Sequence, residues 1–169
     1  SRIPRADPRK AAIPFRLTDT SVDSINSELD TKILVVKYIN HYEGYYDQTG
    51  TVNSFDAGGN PTGSEELNNV ITFTTARLDT VISDGMMNQI GAAYAMKLVV
   101  NADQSVTLGN TAGSAANPVT SDGACTFNRE TSTFTLNYRV TQASGDYKKV
   151  SVHLVWRNRV RDEINEWRR

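Results

Sequence analysis

Two stretches late in the chain alternate between apolar and polar residues, broken only at Val155, and this pattern restricts the fold more than anything else in the sequence. In Phe134-Thr-Leu136-Asn-Tyr138-Arg-Val140 every second residue is apolar or aromatic, with Thr, Asn and Arg between. Val150-Ser-Val152-His-Leu154-Val-Trp156 repeats the pattern and turns Ser151, His153 and Arg157 to the other face. Successive side chains of a strand point to opposite faces, whereas a helix collects them on one side with a period of about 3.6, so both segments read as half-buried antiparallel strands. Phe134, Leu136, Tyr138, Val152, Leu154 and Trp156 are then expected to share one core. Met96, Leu98 and Val100 form a third inward set, Ile71 with Phe73 a fourth, and Val106 with Leu108 a fifth. The β-branched run Ile33-Leu-Val-Val36 lacks clean alternation, which fits a strand covered on both faces.

The residues between these runs are those that reverse a chain. Ser83-Asp84-Gly85, Asn101-Ala-Asp103, Ser121-Asp122-Gly123, Asn128-Arg-Glu-Thr131 and Ser144-Gly145-Asp146 accept positive φ or bond their own backbone. No amphipathic helix separates successive strands, so the connectivity reads as an antiparallel meander and not as βαβ units. The stretches Asn53 to Glu66 and Asn110 to Ser121 read as long exposed loops. At the C-terminus the period changes. Val160, Ile164 and Trp167 are spaced i, i+4, i+7 among charged residues, which predicts a short amphipathic helix from about Arg159, with Arg168 and Arg169 at the negative end of its dipole.

Composition removes several classes of function. With 169 residues the chain can bury about 70% of its unfolded surface, so a core forms without a metal or disulfide staple. Its 18 basic and 19 acidic side chains give a formal charge of −1, which supplies no phosphate-directed attraction, and no nucleic-acid partner is expected. No apolar stretch approaches the roughly 20 residues of a membrane-spanning helix, and the first residues do not carry a signal-peptide pattern. Cys125, the single cysteine, has no internal disulfide partner and reads as a small buried apolar residue.

Catalytic patterns are weak. Glu43, Asp47, Glu65 and Glu66 would serve glycoside hydrolysis only if two of them faced each other about 5 to 9.5 Å apart across a cleft. Without a motif to impose that, they read as solvated surface charges. His41 and His153 have no second histidine or Cys–His spacing beside them, so both are expected at the surface or an interface, with no catalytic residue, metal or cofactor assigned. Asp56-Ala-Gly-Gly-Asn-Pro-Thr-Gly63 lacks the Lys-Ser/Thr ending of a phosphate loop and reads as a hairpin loop.

What stands above background is aromatic: Tyr38, Tyr42, Tyr45 and Tyr46, with Trp156 and Trp167 downstream. Exposed rings with a polar handle can stack on the apolar face of a sugar, whereas strands also use such rings to fill cores and cross-strand pairs. Tyr42 and Tyr46 flank Gly44, read here as a turn, and are the two expected to be exposed as a ligand-binding pair.

Several segments also carry a family likeness. Ile33-Leu-Val-Val-Lys-Tyr-Ile-Asn40, Tyr42-Glu-Gly-Tyr-Tyr-Asp-Gln-Thr-Gly50, Ala93-Tyr-Ala-Met-Lys-Leu98, the strand Thr133-Phe-Thr-Leu-Asn-Tyr138 after Asn128, and Trp156-Arg-Asn-Arg-Val-Arg-Asp-Glu-Ile164 together resemble Bacteroidetes cell-surface lipoproteins of unknown function. In these an N-terminal sandwich-like module of the DUF1735 type precedes a C-terminal β module of the DUF4361 type. The Gly44-Tyr-Tyr to Gly50 segment is also similar to the first strand of calycin-type barrels. The motifs are strand and turn signatures and transfer no catalytic residue. The resemblance implies secretion, an outer-membrane or cell-surface location through a lipid anchor on an upstream cysteine, and genetic neighbourhood with glycan-import pairs of the outer membrane. The anchor, the signal and most of the first module do not occur in these residues, so the chain is expected to be a C-terminal fragment or isolated domain.

The expected fold is mainly β, an antiparallel meander closing into a calycin-like barrel with a short C-terminal helix, or alternatively a two-sheet β-sandwich. Residues 1–40 are expected to be the last strands of the preceding module and 41–169 the barrel-like domain. Because Ile33-Leu-Val-Val36 would leave an exposed apolar edge, residues 1–40 are expected to join the barrel edge, to pair with a second chain, or to be disordered around Asp19 to Asp30. Edge-strand homodimerisation is the preferred outcome. The expected function is that of a non-enzymatic accessory protein binding a polysaccharide or oligosaccharide. The alternative is a structural or interaction module packing beside an outer-membrane protein partner, and a glycosidase is the third reading.

Overall fold

The structure is a computed structural model that describes residues 10–16, 18 and 31–159. The chain divides into two compact units, Ser1–Ile39 and Asn40–Arg169. In the first, β1 (Lys10–Arg16) pairs antiparallel with β2 (Thr31–Lys37), setting Lys10 opposite Lys37 and Arg16 opposite Thr31. Pro14 has no N–H to donate, and β1 suits it because among the described residues one side of that strand carries no ladder. Ile33-Leu-Val-Val36 therefore finds a strand partner inside its own unit, an outcome not among the three expected for it. A second chain would have to use the other edge of β1 or β2. The stretch Asp19 to Asp30, the side chains of Ile33 to Val36 and the expected helix after Arg159 lie outside what the structure describes.

The second unit contains β3 (Gly44–Phe55), β4 (Pro61–Thr75), β5 (Thr80–Ser83), β6 (Gly85–Met86), β7 (Gln89–Ile90), a single 3-10 turn at Ala92–Tyr94, β8 (Met96–Val100), β9 (Val106–Asn110), β10 (Val119–Ser121), β11 (Thr126–Asn128), β12 (Thr133–Thr141) and β13 (Tyr147–Asn158). Among the described residues one antiparallel sheet runs β10-β12-β13-β3-β4-β5-β8-β9, with β11 also on β12. Its two ends come together. The Val119 amide donates to Asn110 Oδ1 at 2.9 Å, Val106 N to the Cys125 carbonyl at 2.8 Å, and Phe127 N to the Gln104 carbonyl at 2.8 Å. The result is the mainly β, nearly closed barrel-like sheet that the alternation predicts.

Register explains the core. Leu136 lies opposite Val152, Val152 opposite Gly50, and Gly50 opposite Leu67, and directly opposed residues share a face. Phe134, Leu136, Tyr138, Val152 and Leu154 are buried together, as are Ile71, Phe73, Met96, Leu98, Val100 and Val106, with Leu108 half-buried against them. Trp156 departs from the expected set. It is 38% exposed, at the point where the β13–β3 register shifts and the strand leaves the core. The β6–β7 hairpin feeds Met86 and Met87 into the same interior. Gln48 Nε2 and Asn69 Nδ2 both donate to the Met87 carbonyl, at 3.0 and 3.1 Å, so a polar group carried inward is satisfied there.

The expected loop Asn53 to Glu66 is mostly strand. β3 continues to Phe55 and β4 starts at Pro61, leaving only a turn over residues 56–60. Its polar composition has another cause: residues 61–66 are exposed on both faces of a long ribbon, so no apolar alternation is needed there. The expected loop after Asn110 is interrupted by β10 at Val119–Ser121.

Candidate functional site

The strands define two ends of the barrel. Gly44, Thr75, Thr80, Val100, Val106 and Thr133 lie at the end where Asn40 brings the chain in; Phe55, Pro61, Thr141 and Tyr147 lie at the other. The expected ligand pair belongs to the first end and is buried, Tyr42 at 9% exposure and Tyr46 at 0%. Gly44 is not a turn apex. The chain turns at His41 and Tyr42, and Gly44 opens β3, where a Cβ would stand 2.5 Å from Trp156 Nε1 and 2.7 Å from the Asn158 carbonyl. Gly44 is thus required by close approach, and the β3 alternation then turns Tyr46 inward. Its ring packs on Phe73 at 4.7 Å and Phe134 at 5.5 Å, and its hydroxyl donates to the Tyr42 carbonyl at 3.0 Å. Burial pushes the phenols of Tyr46 and Tyr138 well above their ordinary value. Tyr42 stands edge-on to Phe127 at 4.9 Å, so neither tyrosine offers a ring face to a sugar.

Glu43 overturns its reading as a solvated charge. It is 4% exposed and its Oε2 accepts the Thr75 amide at 2.8 Å. Beside it, Asn40 Nδ2 donates to the carbonyls of Arg77 and Thr80, Asn40 Oδ1 accepts the Tyr42 amide, and Asn40 N donates to Thr75 Oγ1. Asp47 is exposed and pairs with Arg157 at 3.5 Å, and Glu65 meets the Asn88 amide. These carboxylates do not face one another across a described cleft. His153 is exposed, 3.2 Å from Thr135 Oγ1, and His41 is exposed with its ring 6.1 Å from Phe127. Cys125 is buried, its thiol donating to the Asn137 carbonyl at 3.2 Å.

Two adjoining clefts of about 460 and 600 Å³ open at this end and share Gln104, Phe127 and Arg129. Most of their polar groups are occupied by the turns that carry them. Asp79 accepts the Thr80 hydroxyl, Asp103 accepts Ser105, Asn101 Nδ2 donates to Ser105 and Thr107, and Gln104 Oε1 accepts the Arg129 amide. Their aromatic walls, Tyr42 and Phe127, are the buried rings just described.

The opposite end is built differently. The turn at residues 56–60 is tied by Asp56, whose Oδ1 accepts Asn60 N at 2.8 Å and whose Oδ2 accepts Asn60 Nδ2 at 2.9 Å. Those bonds from Asn60 hold the Asp56 carboxyl below the usual carboxylate range. The turn at 142–146 is fastened to it by Ala57 N donating to Asp146 Oδ1 at 3.1 Å. Below the turns Phe55 and Tyr147 are directly opposed on β3 and β13, and their half-buried rings stack at 5.0 Å with 10° between planes. Arg139, on the same outward face of β12, sets its guanidinium 3.6 Å from the Tyr147 centroid. A cleft of about 310 Å³ lies here, lined by the two rings with Ser54, Thr62, Gln142 and Lys148 and the two aspartates of the turns. Counting back from Val150 by twos puts position 148 in the inward set and hence Tyr147 in the outward one, a signal for Tyr147 that the alternation carries.

A family model for a C-terminal domain matches residues 30–155. The chain belongs to that C-terminal domain family. Among curated proteins none matches. A protein of unknown function from Bacteroides ovatus superposes with a TM-score of 0.58 at 19% identity, over 76% of this chain and 46% of its own. A second protein of unknown function from the same species gives 0.54 at 13% identity, over 92% and 62%. A multidomain protein including DUF1735, again from Bacteroides ovatus, gives 0.53 at 13%, over 75% and 53%. The chain thus spans less than two thirds of each of these proteins. At such identities the likeness is one of fold, and it agrees with a Bacteroidetes C-terminal module of unknown function.

Proposed function

We propose that this module is a non-enzymatic accessory domain of a cell-surface protein and that it binds oligosaccharide in the cleft between the turns at 56–60 and 142–146. The observation that carries the reading is the Phe55–Tyr147 stack, braced by Arg139 and bordering a cleft with unoccupied hydroxyl, amide and ammonium groups. Tyr147 is covered by Phe55 on one face and by Arg139 on the other, so a sugar ring packs its C–H face on the Phe55 end of the stack while its hydroxyls bond the polar groups around it, and 310 Å³ suits one or two residues of a chain. The two carboxylates of this cleft, Asp56 and Asp146, are taken up by hydrogen bonds within and between the turns, which favours binding over hydrolysis. The surface location and the place behind a DUF1735-type module rest on the family resemblance.

A glycan array tests this on protein shown to be folded. Binding that is lost in Tyr147→Ala and Phe55→Ala, with the denaturation midpoint within a few degrees of the parent, supports the reading; no binder on the array contradicts it. The second reading, a protein-interaction module beside an outer-membrane partner, is favoured by Val70 and Val155, 38% and 48% exposed, which flank Asp47 in one cross-strand row on the outer face.

A further inference from the structure

The charged groups of the cleft between the two turns are unequally engaged. Asp56 accepts three hydrogen bonds from Asn60, and Asp146 accepts the Ala57 amide on one oxygen and the Ser144 hydroxyl on the other. Both carboxylates are therefore built into the turns. Lys148, in contrast, lines the cleft with no hydrogen-bond or ion-pair partner among the described residues, although its neighbour Lys149 is paired with Asp122 at 3.1 Å. Arg139 is likewise without an anion: its guanidinium lies on Tyr147 and its Nε is buried with no acceptor. The hydroxyls of Ser54, Thr62 and Tyr147 and the Gln142 amide also have no hydrogen-bond partner among the described residues. The cleft thus presents engaged acceptors and unengaged donors, one of them a full positive charge.

We propose that the oligosaccharide bound here carries carboxylates, a uronic-acid chain and not a neutral one, with a sugar carboxylate on Lys148 Nζ and the ring against the Phe55 end of the stack that Tyr147 backs. The inference rests on the oligosaccharide reading of this cleft and adds the ligand's chemical class. A charge-assisted bond from an ammonium is about twice as strong as a neutral one, so an unpaired lysine at a cleft wall discriminates strongly between a carboxylate and a hydroxymethyl group at the same sugar position. The cleft's own lining sets Asp56 and Asp146 against Lys148, so no long-range attraction favours an acidic ligand; selectivity comes from the local contact with the unpaired ammonium, both carboxylates being taken up by hydrogen bonds within and between the turns.

Calorimetric titration of the intact chain with an oligogalacturonide, and with a cello-oligosaccharide of equal length, tests the proposal. The expected result is binding of the acidic ligand at least about tenfold tighter, with that advantage removed in Lys148→Gln and both ligands lost in Tyr147→Ala. Denaturation midpoints of the variants confirm that each is folded. Equal or tighter binding of the neutral ligand, or an advantage that survives Lys148→Gln, overturns the proposal while leaving the oligosaccharide reading in place. No binding of either ligand to folded protein overturns both.

Discussion

The two ends of the barrel use the same residue types to opposite effect. Where the chain enters, tyrosines and a glutamate lie beside a glycine and a turn, and all are drawn inside: Tyr42, Tyr46 and Glu43 are buried, with Asn40 and Thr75 satisfying the polar atoms. At the far end, a tyrosine and two aspartates also lie beside turns, yet Tyr147 and Phe55 remain on the outer face and the aspartates are only half-buried. What separates them is parity along the strand and not chemistry. Tyr46 falls on the inward set of β3, and Tyr147 on the outward set of β13. An aromatic cluster in a sequence therefore marks a site only after the inward set of its strand is known.

The largest test of that contrast is to remove a ring from the buried end. Phe134→Ala should destabilise the domain by about 3 to 5 kcal/mol in denaturant titration, since the ring is fully buried against Tyr46, Phe73 and Phe127. Asn40→Ala should lose about 2 to 3 kcal/mol, because it leaves the Thr80 carbonyl and the Tyr42 amide buried without their partner. Gly44→Ala, read by the same titration, should cost about 1 to 3 kcal/mol, as the new methyl group meets the Trp156 indole and the Asn158 backbone.

The far end should respond weakly in stability and strongly in binding. Tyr147→Ala is expected to lose about 1 to 2.5 kcal/mol of folding stability, the range of one aromatic pair and one surface cation–π contact, while abolishing oligosaccharide binding. The smallest effect concerns Asp56. Its folded-state carboxyl titrates below the ordinary range, so its contribution is present above that range and is lost as pH falls through the lowered value. Comparing the acid limb of unfolding for the parent and Asp56→Asn should show a slightly shallower loss of stability in the variant.

Much of the fold was legible because strict alternation leaves little choice. Phe134 to Val140 and Val150 to Leu154 could be assigned to faces residue by residue, and the turn signals at Asn101, Asn128 and Ser144 fall where the chain reverses. The sequence was silent where two patterns overlap. Gly44 carries no mark that separates a turn from a point of close approach, and only the Trp156 indole across the strand pair distinguishes them. The ribbon at 61–66 looked like a loop because a strand exposed on both faces has no apolar period to show. Glu43 could not be read as buried, since its partner, the Thr75 amide, is a backbone group distant in sequence. Tyr147 and Phe55 carry little signal in the sequence, because a single aromatic residue beside a turn serves a core as readily as a surface.

The claim that the far end is the working end can be tested by following backbone amide resonances during titration with an oligosaccharide that binds. The account predicts shifts confined to residues 54–62 and 142–148, with residues 41–43, 101–104 and 127–130 unmoved. Shifts centred on 41–43, 101–104 and 127–130, with the Tyr147 amide unchanged, would contradict it and transfer the site to the clefts around Gln104 and Arg129.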